Sequence, residues 1–257
     1  MRNVTKIAGV LTLTLSAHWP ATVLAGHPLL TEDTGTQGAG RYRLELTHDL
    51  SHTTDTDIKT RGQSFNVVLS FGLTESLDVI ADLPHERLTE RMSTTSTTVE
   101  GFADTKIAAK WRFYEEGALS FALRPGIGLP TGNEDKGLGT GHIVPNLFAV
   151  TTYASDPWAF HLHLGYIHNS HNEPEERSHI YHASVAVEYS VSEQLRLVSD
   201  ASIESNAERS DHPHVGSVVL GFVYSVTPDF DLDLGYRKGL TEPALDYAWL
   251  TGLALRF

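Results

Sequence analysis

Three groups of side chains in this 257-residue sequence have the types and spacing to do chemistry. The first is imidazole, present 14 times. His161 and His163 stand two apart, which on a strand puts both rings on one face, and His182 occupies a similar pattern further on. Three such rings suit zinc, copper or nickel. His168, His171, His179, His212 and His214 fall in or near loop-like stretches, where they would serve divalent-metal capture or a pH-sensitive gate, since histidine titrates near neutrality. The plainer reading of both sets is solvated polar side chains on a wall and its loops. The second group is His182-Ala183-Ser184, a base and a hydroxyl on one strand face, the pairing that activates a nucleophile. Asn206 or Asn169 would orient that imidazole. The third is a long series of charges that alternate with apolar residues. The glycine string of 126–141 lacks the Gly-Lys-Ser/Thr ending and the following helix of a phosphate-binding loop. It reads instead as a surface loop.

The elements that must position these residues are strands. After residue 40 the dominant pattern has period two, and successive strand side chains point to opposite faces. The end of the chain is clearest. Tyr247, Trp249, Thr251, Leu253, Leu255 and Phe257 share one face, and Ala248, Leu250, Gly252, Ala254 and Arg256 share the other. The pattern predicts twelve strands, of which 143–153 has the least defined register. Tight turns at 72–76, 115–117, 154–157, 190–193 and 227–229 alternate with long polar loops at 52–60, 88–100, 131–142, 170–178, 205–213 and 238–246. That asymmetry is expected of an outer-membrane barrel with short periplasmic turns.

Charge placement supports a barrel. The inward face collects Arg41, Arg43, Lys106, Lys110, Arg112, Arg124, Arg196, Arg237 and Arg256. It also collects Glu45, Asp49, Asp78, Asp82, Asp104, Glu188, Asp200, Glu204, Asp231 and Asp233. The other charges after residue 25 are assigned to turns, loops, strand ends and the N-terminal segment, and none to an apolar face. A Lys or Arg facing mid-bilayer lipid costs about 2–4 kcal/mol, so a membrane barrel has to exclude them. Aromatics near strand ends, such as Tyr42, Trp111, Trp158, Tyr189 and Tyr236, suit interfacial girdles, whereas a soluble β-sandwich would share the alternation without them.

Residues 1–25 read as an export signal, with Arg2 and Lys6, a short apolar stretch from Ile7 to Leu15, and Val23-Leu24-Ala25 before a cleavage point at Gly26. Residues 26–40 are expected as an N-terminal periplasmic segment and 41–257 as the barrel. The net charge is −13 and cysteine is absent. The acidic balance argues against nucleic acid as a partner. The lack of cysteine removes thiolate chemistry and disulfides. A mean hydropathy of −0.18 is compatible with a barrel, because only alternate residues meet lipid.

Several strings resemble the outer-membrane family named after the meta-pathway of phenol degradation. They are Gly72-Leu73-Thr74 with Leu77-Asp78-Val79, Gly101-Phe102-Ala103-Asp104 with Lys106 and Lys110-Trp111-Arg112, Pro125 through Gly132, and Gly165-Tyr166. The resemblance covers most of 27–257. It implies an outer-membrane transporter of aromatic or other hydrophobic compounds. The last strand (Tyr247, Trp249, Leu253, Leu255, Phe257) resembles the signal read by the barrel assembly machinery. Outer-membrane phospholipases also use a His and a Ser two apart on a strand, facing lipid. Here the pair would face the lumen, which makes an esterase the remotest of the readings. The leading expectation is a channel in the bacterial outer membrane, with lipid, lipopolysaccharide and a small solute as partners and no cofactor. Its lumen would be lined by Arg43, Asp78, Asp82, Asp104, Lys106, Lys110, Arg112, Arg124, Arg196, Asp231, Asp233, Arg237 and Arg256. The alternative is a non-transporting barrel whose acidic and histidine-rich loops bind cations or lipopolysaccharide.

Overall fold

The computed structural model describes residues 26–55, 58–170, 175–209 and 212–257. The export-signal reading of 1–25 and His171 lie outside them. Thirteen strands form one antiparallel sheet: β1 (Tyr42–Asp55), β2 (Ile58–Thr74), β3 (Leu77–Met92), β4 (Thr95–Phe102), β5 (Thr105–Glu116), β6 (Leu119–Leu129), β7 (Val144–Ser155), β8 (Trp158–His168), β9 (His179–Ser190), β10 (Leu195–Ser205), β11 (His214–Thr227), β12 (Phe230–Gly239) and β13 (Tyr247–Arg256). Apart from β4 and β5, which both pair with β3, each strand pairs with its chain neighbours. β1 pairs with β13, and β2 with β3, so the sheet closes on itself.

Within the apolar belt closure leaves no exposed sheet edge, as a strand structure in lipid requires. β4 and β5 both pair with β3, β5 along Leu77–Asp82 and β4 along His85–Met92. They act as one strand interrupted at Ala103 and Asp104, so the wall has twelve positions. The connections that lie at the chain-terminal end of the barrel are short, as expected. At the other end two predicted loops are strand instead. Residues 88–92 and 95–100 belong to β3 and β4, and 52–55 and 58–60 form the extended ends of β1 and β2. Their Thr-rich, charged composition resembles a loop, because a sheet that rises beyond the apolar belt needs no lipid-facing hydrophobics. The weakest predicted segment, 143–153, is β7. Its Val150 and Thr152 are buried inside while Leu147 and Tyr153 face outward.

The outward face is apolar: Leu46, Val67, Leu69, Trp111, Leu147, Phe160, Leu220 and Trp249 are all exposed. Aromatic contacts mark both ends of the belt. Near the termini, Tyr42 packs on Phe71 and Phe257 with ring centroids 4.6 and 5.6 Å apart. Trp158 meets Tyr189 at 4.6 Å. At the far end Tyr236 meets Trp249 at 5.1 Å. The terminal Phe257 is thus stapled to β1 by main chain and ring together.

Candidate functional site

The barrel interior holds the charged residues, and it holds something further. Residues 26–41 run inside it. This corrects the expectation of a periplasmic segment. At the terminal mouth, Gly40 N–H donates to Gly72 O at 2.8 Å and Gly72 N–H to Arg41 O at 2.9 Å. A Cβ on Gly72 would fall 1.8 Å from Gly38 O, so only glycine admits the segment there. Further in, Gln37 N–H donates to both oxygens of Asp78, at 3.1 and 3.0 Å. Thr34 N–H donates to Thr152 Oγ1 at 3.1 Å, and its hydroxyl bonds Ser120. Asp33 lies 3.7 Å from Lys110 Nζ and Glu32 2.8 Å from Arg124 Nε. The Leu30 and Thr31 N–H groups converge on Asp200 Oδ2 at 3.0 and 2.8 Å. His27 closes the path, with Nδ1 2.6 Å from Asp233 and Nε2 3.1 Å from Asp49.

The cause is electrostatic and hydrogen-bond satisfaction. Inward carboxylates and hydroxyls removed from bulk water need partners. An irregular strand of backbone N–H groups and short polar side chains supplies them. Thr31 and Asp33 are consequently as buried as core residues, at 1% and 0% exposure. Burial acts to lower the pKa of His27, but the hydrogen bonds and charges of Asp233 and Asp49 outweigh it and raise the value to about 9. Burial acts to raise that of Glu32, and Arg124 and Lys110 outweigh it, so its pKa is lowered.

Most predicted lumen residues are brought together in this interior. Arg43 is buried and pairs with Glu45 at 3.0 Å. Asp82 faces Lys106 at 3.7 Å. Arg196 joins Glu188 at 3.0 Å and Asp231 at 3.7 Å, and Asp231 also binds Arg256 at 2.5 Å. Arg237 and Asp233 lie four residues apart on one face of β12. Two residues differ from expectation. Asp104, in the break between β4 and β5, holds the 131–142 loop by accepting from Gly132 N–H at 2.9 Å and Thr140 N–H at 2.8 Å. Arg112 sits at the terminal mouth, bonded to Glu75 O and paired with Glu115 at 3.1 Å.

The three histidines are adjacent but do not form a metal centre. Among the described residues no group of three His, Asp or Glu is disposed to hold a metal. His161 bonds Thr152 at 2.9 Å and faces Glu188 at 3.4 Å. His163 packs on Phe148 with centroids 4.5 Å apart, and neither of its ring nitrogens has a hydrogen-bond partner. His182 lies 5.4 Å from it, ring to ring, but its nitrogens are engaged elsewhere. Nδ1 is 3.0 Å from Glu204 Oε2 and Nε2 is 3.1 Å from Ser184 Oγ. Glu204, not Asn206 or Asn169, therefore orients the ring. Ser184–His182–Glu204 has the order of a hydrolytic relay. However, Ser184 is 3% exposed and its Oγ accepts from Thr31 Oγ1 at 2.7 Å, so the segment occupies the side an ester would approach.

His27, Thr31, Glu32, Asp33, Thr34 and Gln37 are the site residues that sequence reasoning missed. Their polar, glycine-interrupted run was visible, but no periodic pattern in it indicates an interior location.

Residues 25–257 match the family described as "Putative MetA-pathway of phenol degradation". The chain belongs to this family. Among solved structures, the COG4313 outer membrane channel from Pseudomonas putida F1 superposes with a TM-score of 0.72 at 16% identity, covering 88% of this chain and 98% of that one. The NanC porin gives 0.60 at 10% identity over 82% and 98%, and the KdgM porin 0.57 at 8% over 84% and 99%. These likenesses establish the fold of an outer-membrane barrel. No curated protein matches the chain.

Proposed function

We propose that this member of the family is an outer-membrane channel that passes small solutes, aromatic or hydrophobic compounds among them, through a charged lumen narrowed by residues 26–41. The observation that carries the reading is the two-sided polar wall around that segment. Lys110 and Arg124 face it from β5 and β6, while Asp49, Asp200 and Asp233 face it from β1, β10 and β12. A solute moving past it meets opposed charges that orient a dipole, and passage makes or breaks no covalent bond. In this reading the Ser184–His182–Glu204 chain anchors the segment through Thr31.

The depth of the segment also favours a second reading, a non-transporting barrel. Single-channel recording of the refolded chain separates the two. Reproducible conductance steps whose ion selectivity changes on Lys110→Gln or Arg124→Gln support the channel. Silence both from the folded intact chain and from a variant lacking residues 27–37 refutes it.

A further inference from the structure

The outer surface of the β1–β4 wall changes chemistry in rows, and cross-strand pairing identifies them. Leu46, Val67 and Leu83 form an apolar row. Two residues further from the termini, His48, Phe65, His85 and Phe102 form an aromatic row, with His48 stacked on Phe65 at 4.2 Å and His85 edge-on to Phe102 at 5.2 Å. Beyond it the same outward face carries Arg87 beside Gln63, Arg61 between His52 and Thr89, and Lys59 directly opposite Arg91. The acids of these segments on β1 and β3, Asp55, Glu86 and Glu90, take the face opposite to the cations. Glu100 is the acid that shares the cations' face on β4, 3.7 Å from Arg87.

Like charges directly opposite in a ladder repel. Lys59, Arg61 and Arg91 are nevertheless exposed, and none pairs with a carboxylate among the described residues. At about 3.3 Å per residue, Arg87 to Lys59 stand roughly 7–20 Å along the strands above the aromatic row. Aromatic girdles mark the boundary between hydrocarbon and headgroup, so these cations project at the level of the headgroups.

We infer that Lys59, Arg61 and Arg91, with Arg87 at their base, bind the phosphorylated sugar headgroup of an outer-leaflet glycolipid. This rests on the outer-membrane reading and gives its lipid partner a site. The acyl chains would lie on the apolar rows below, and the phosphates would bridge the β2 and β3 cations that otherwise repel. Guanidinium groups match phosphate oxygens in forked geometry, and Lys59 adds a point charge.

The test is native mass spectrometry of the folded full chain in detergent, titrated with bisphosphorylated lipid A. The triple variant Lys59→Gln/Arg61→Gln/Arg91→Gln is expected to bind at least tenfold more weakly, and lipid A stripped of phosphate to lose the same increment on the wild type. The control Lys136→Gln, on the 131–142 loop, is expected to bind as wild type. Equal binding by the triple variant overturns the proposal, as does equal binding of dephosphorylated lipid or equal competition by phosphatidylglycerol. Conductance of the triple variant in a bilayer free of glycolipid should match wild type. Loss of lipid binding with retained conductance leaves the channel reading intact, and absent conductance with retained lipid binding refutes only the channel.

Discussion

Replacing Lys110 with Met tests whether buried charge pairs hold the inner segment in place. Lys110 Nζ lies 3.7 Å from Asp33 Oδ1, and the two side chains are 8% and 1% exposed. At an effective dielectric near 20, two unit charges about 4 Å apart attract by about 4 kcal/mol. Removing one member of a buried pair costs about 3–5 kcal/mol, because the other is left charged and unpaired. The hydrogen-bonded barrel wall does not depend on this pair, so the loss falls on seating of the segment. At about 1.4 kcal/mol per tenfold, the seated-to-unseated ratio should fall by about two to three and a half powers of ten. The chain has no cysteine, so a single Thr31→Cys reports cleanly. That position is 1% exposed when seated. Its thiol should react with a small maleimide about a hundredfold faster or more in the Lys110→Met background. Adding Asp33→Asn should return most of the protection, since a neutral pair leaves no buried charge. The effect should shrink in acid, because burial raises the pKa of Asp33 despite the opposing charge of Lys110, and a protonated carboxyl tolerates the loss. A labelling rate within threefold of the Lys110 parent at pH 8 would refute the reasoning.

The remaining predictions concern the same interior and the barrel seam. His27 has a raised folded pKa of about 9 against 6.5, so it steadies the segment fully below pH 6.5 and progressively less as pH rises through 9. Hydrogen exchange of residues 27–36 should accelerate across that window, and His27→Ala should flatten the profile. Gly72→Ala, whose Cβ would collide with Gly38 O, should leave a folded, heat-modifiable barrel whose Thr31→Cys label reacts faster. Glu204→Gln should lower protection at Thr31 less than Ser184→Ala does, because Ser184 touches Thr31 and Glu204 acts through His182. Phe257→Ala removes the ring stacked on Tyr42 and should lower the yield of assembled barrel in the outer membrane at unchanged expression.

The wall and the interior differ in how legible they were. Strand alternation is a local property, because side-chain direction reverses at each residue whatever the rest of the chain does. Tyr247 to Phe257 therefore declared both faces of β13, and the inward positions of Arg43, Lys110, Arg124 and Asp231 followed from counting. Exclusion of charge from lipid constrains those faces across the whole chain. Where a strand leaves the membrane that constraint lapses, so 52–55, 58–60, 88–92 and 95–100 resembled loops although they belong to β1, β2, β3 and β4.

What faces an inward residue across the lumen is settled by closure, and closure brings together residues remote in sequence. His27 meets Asp233 across 206 positions and Thr31 meets Ser184 across 153. No periodicity encodes such contacts. The sequence alone determined a membrane barrel with a polar, charged inner face. The tertiary structure decided that residues 26–41 occupy that interior, that Glu204 orients His182, and that the three lumen histidines are spent on Thr152, Ser184 and aromatic packing. The physical reason is that side-chain direction depends on the next residue, whereas satisfaction of a buried charge depends on whatever the fold carries to it.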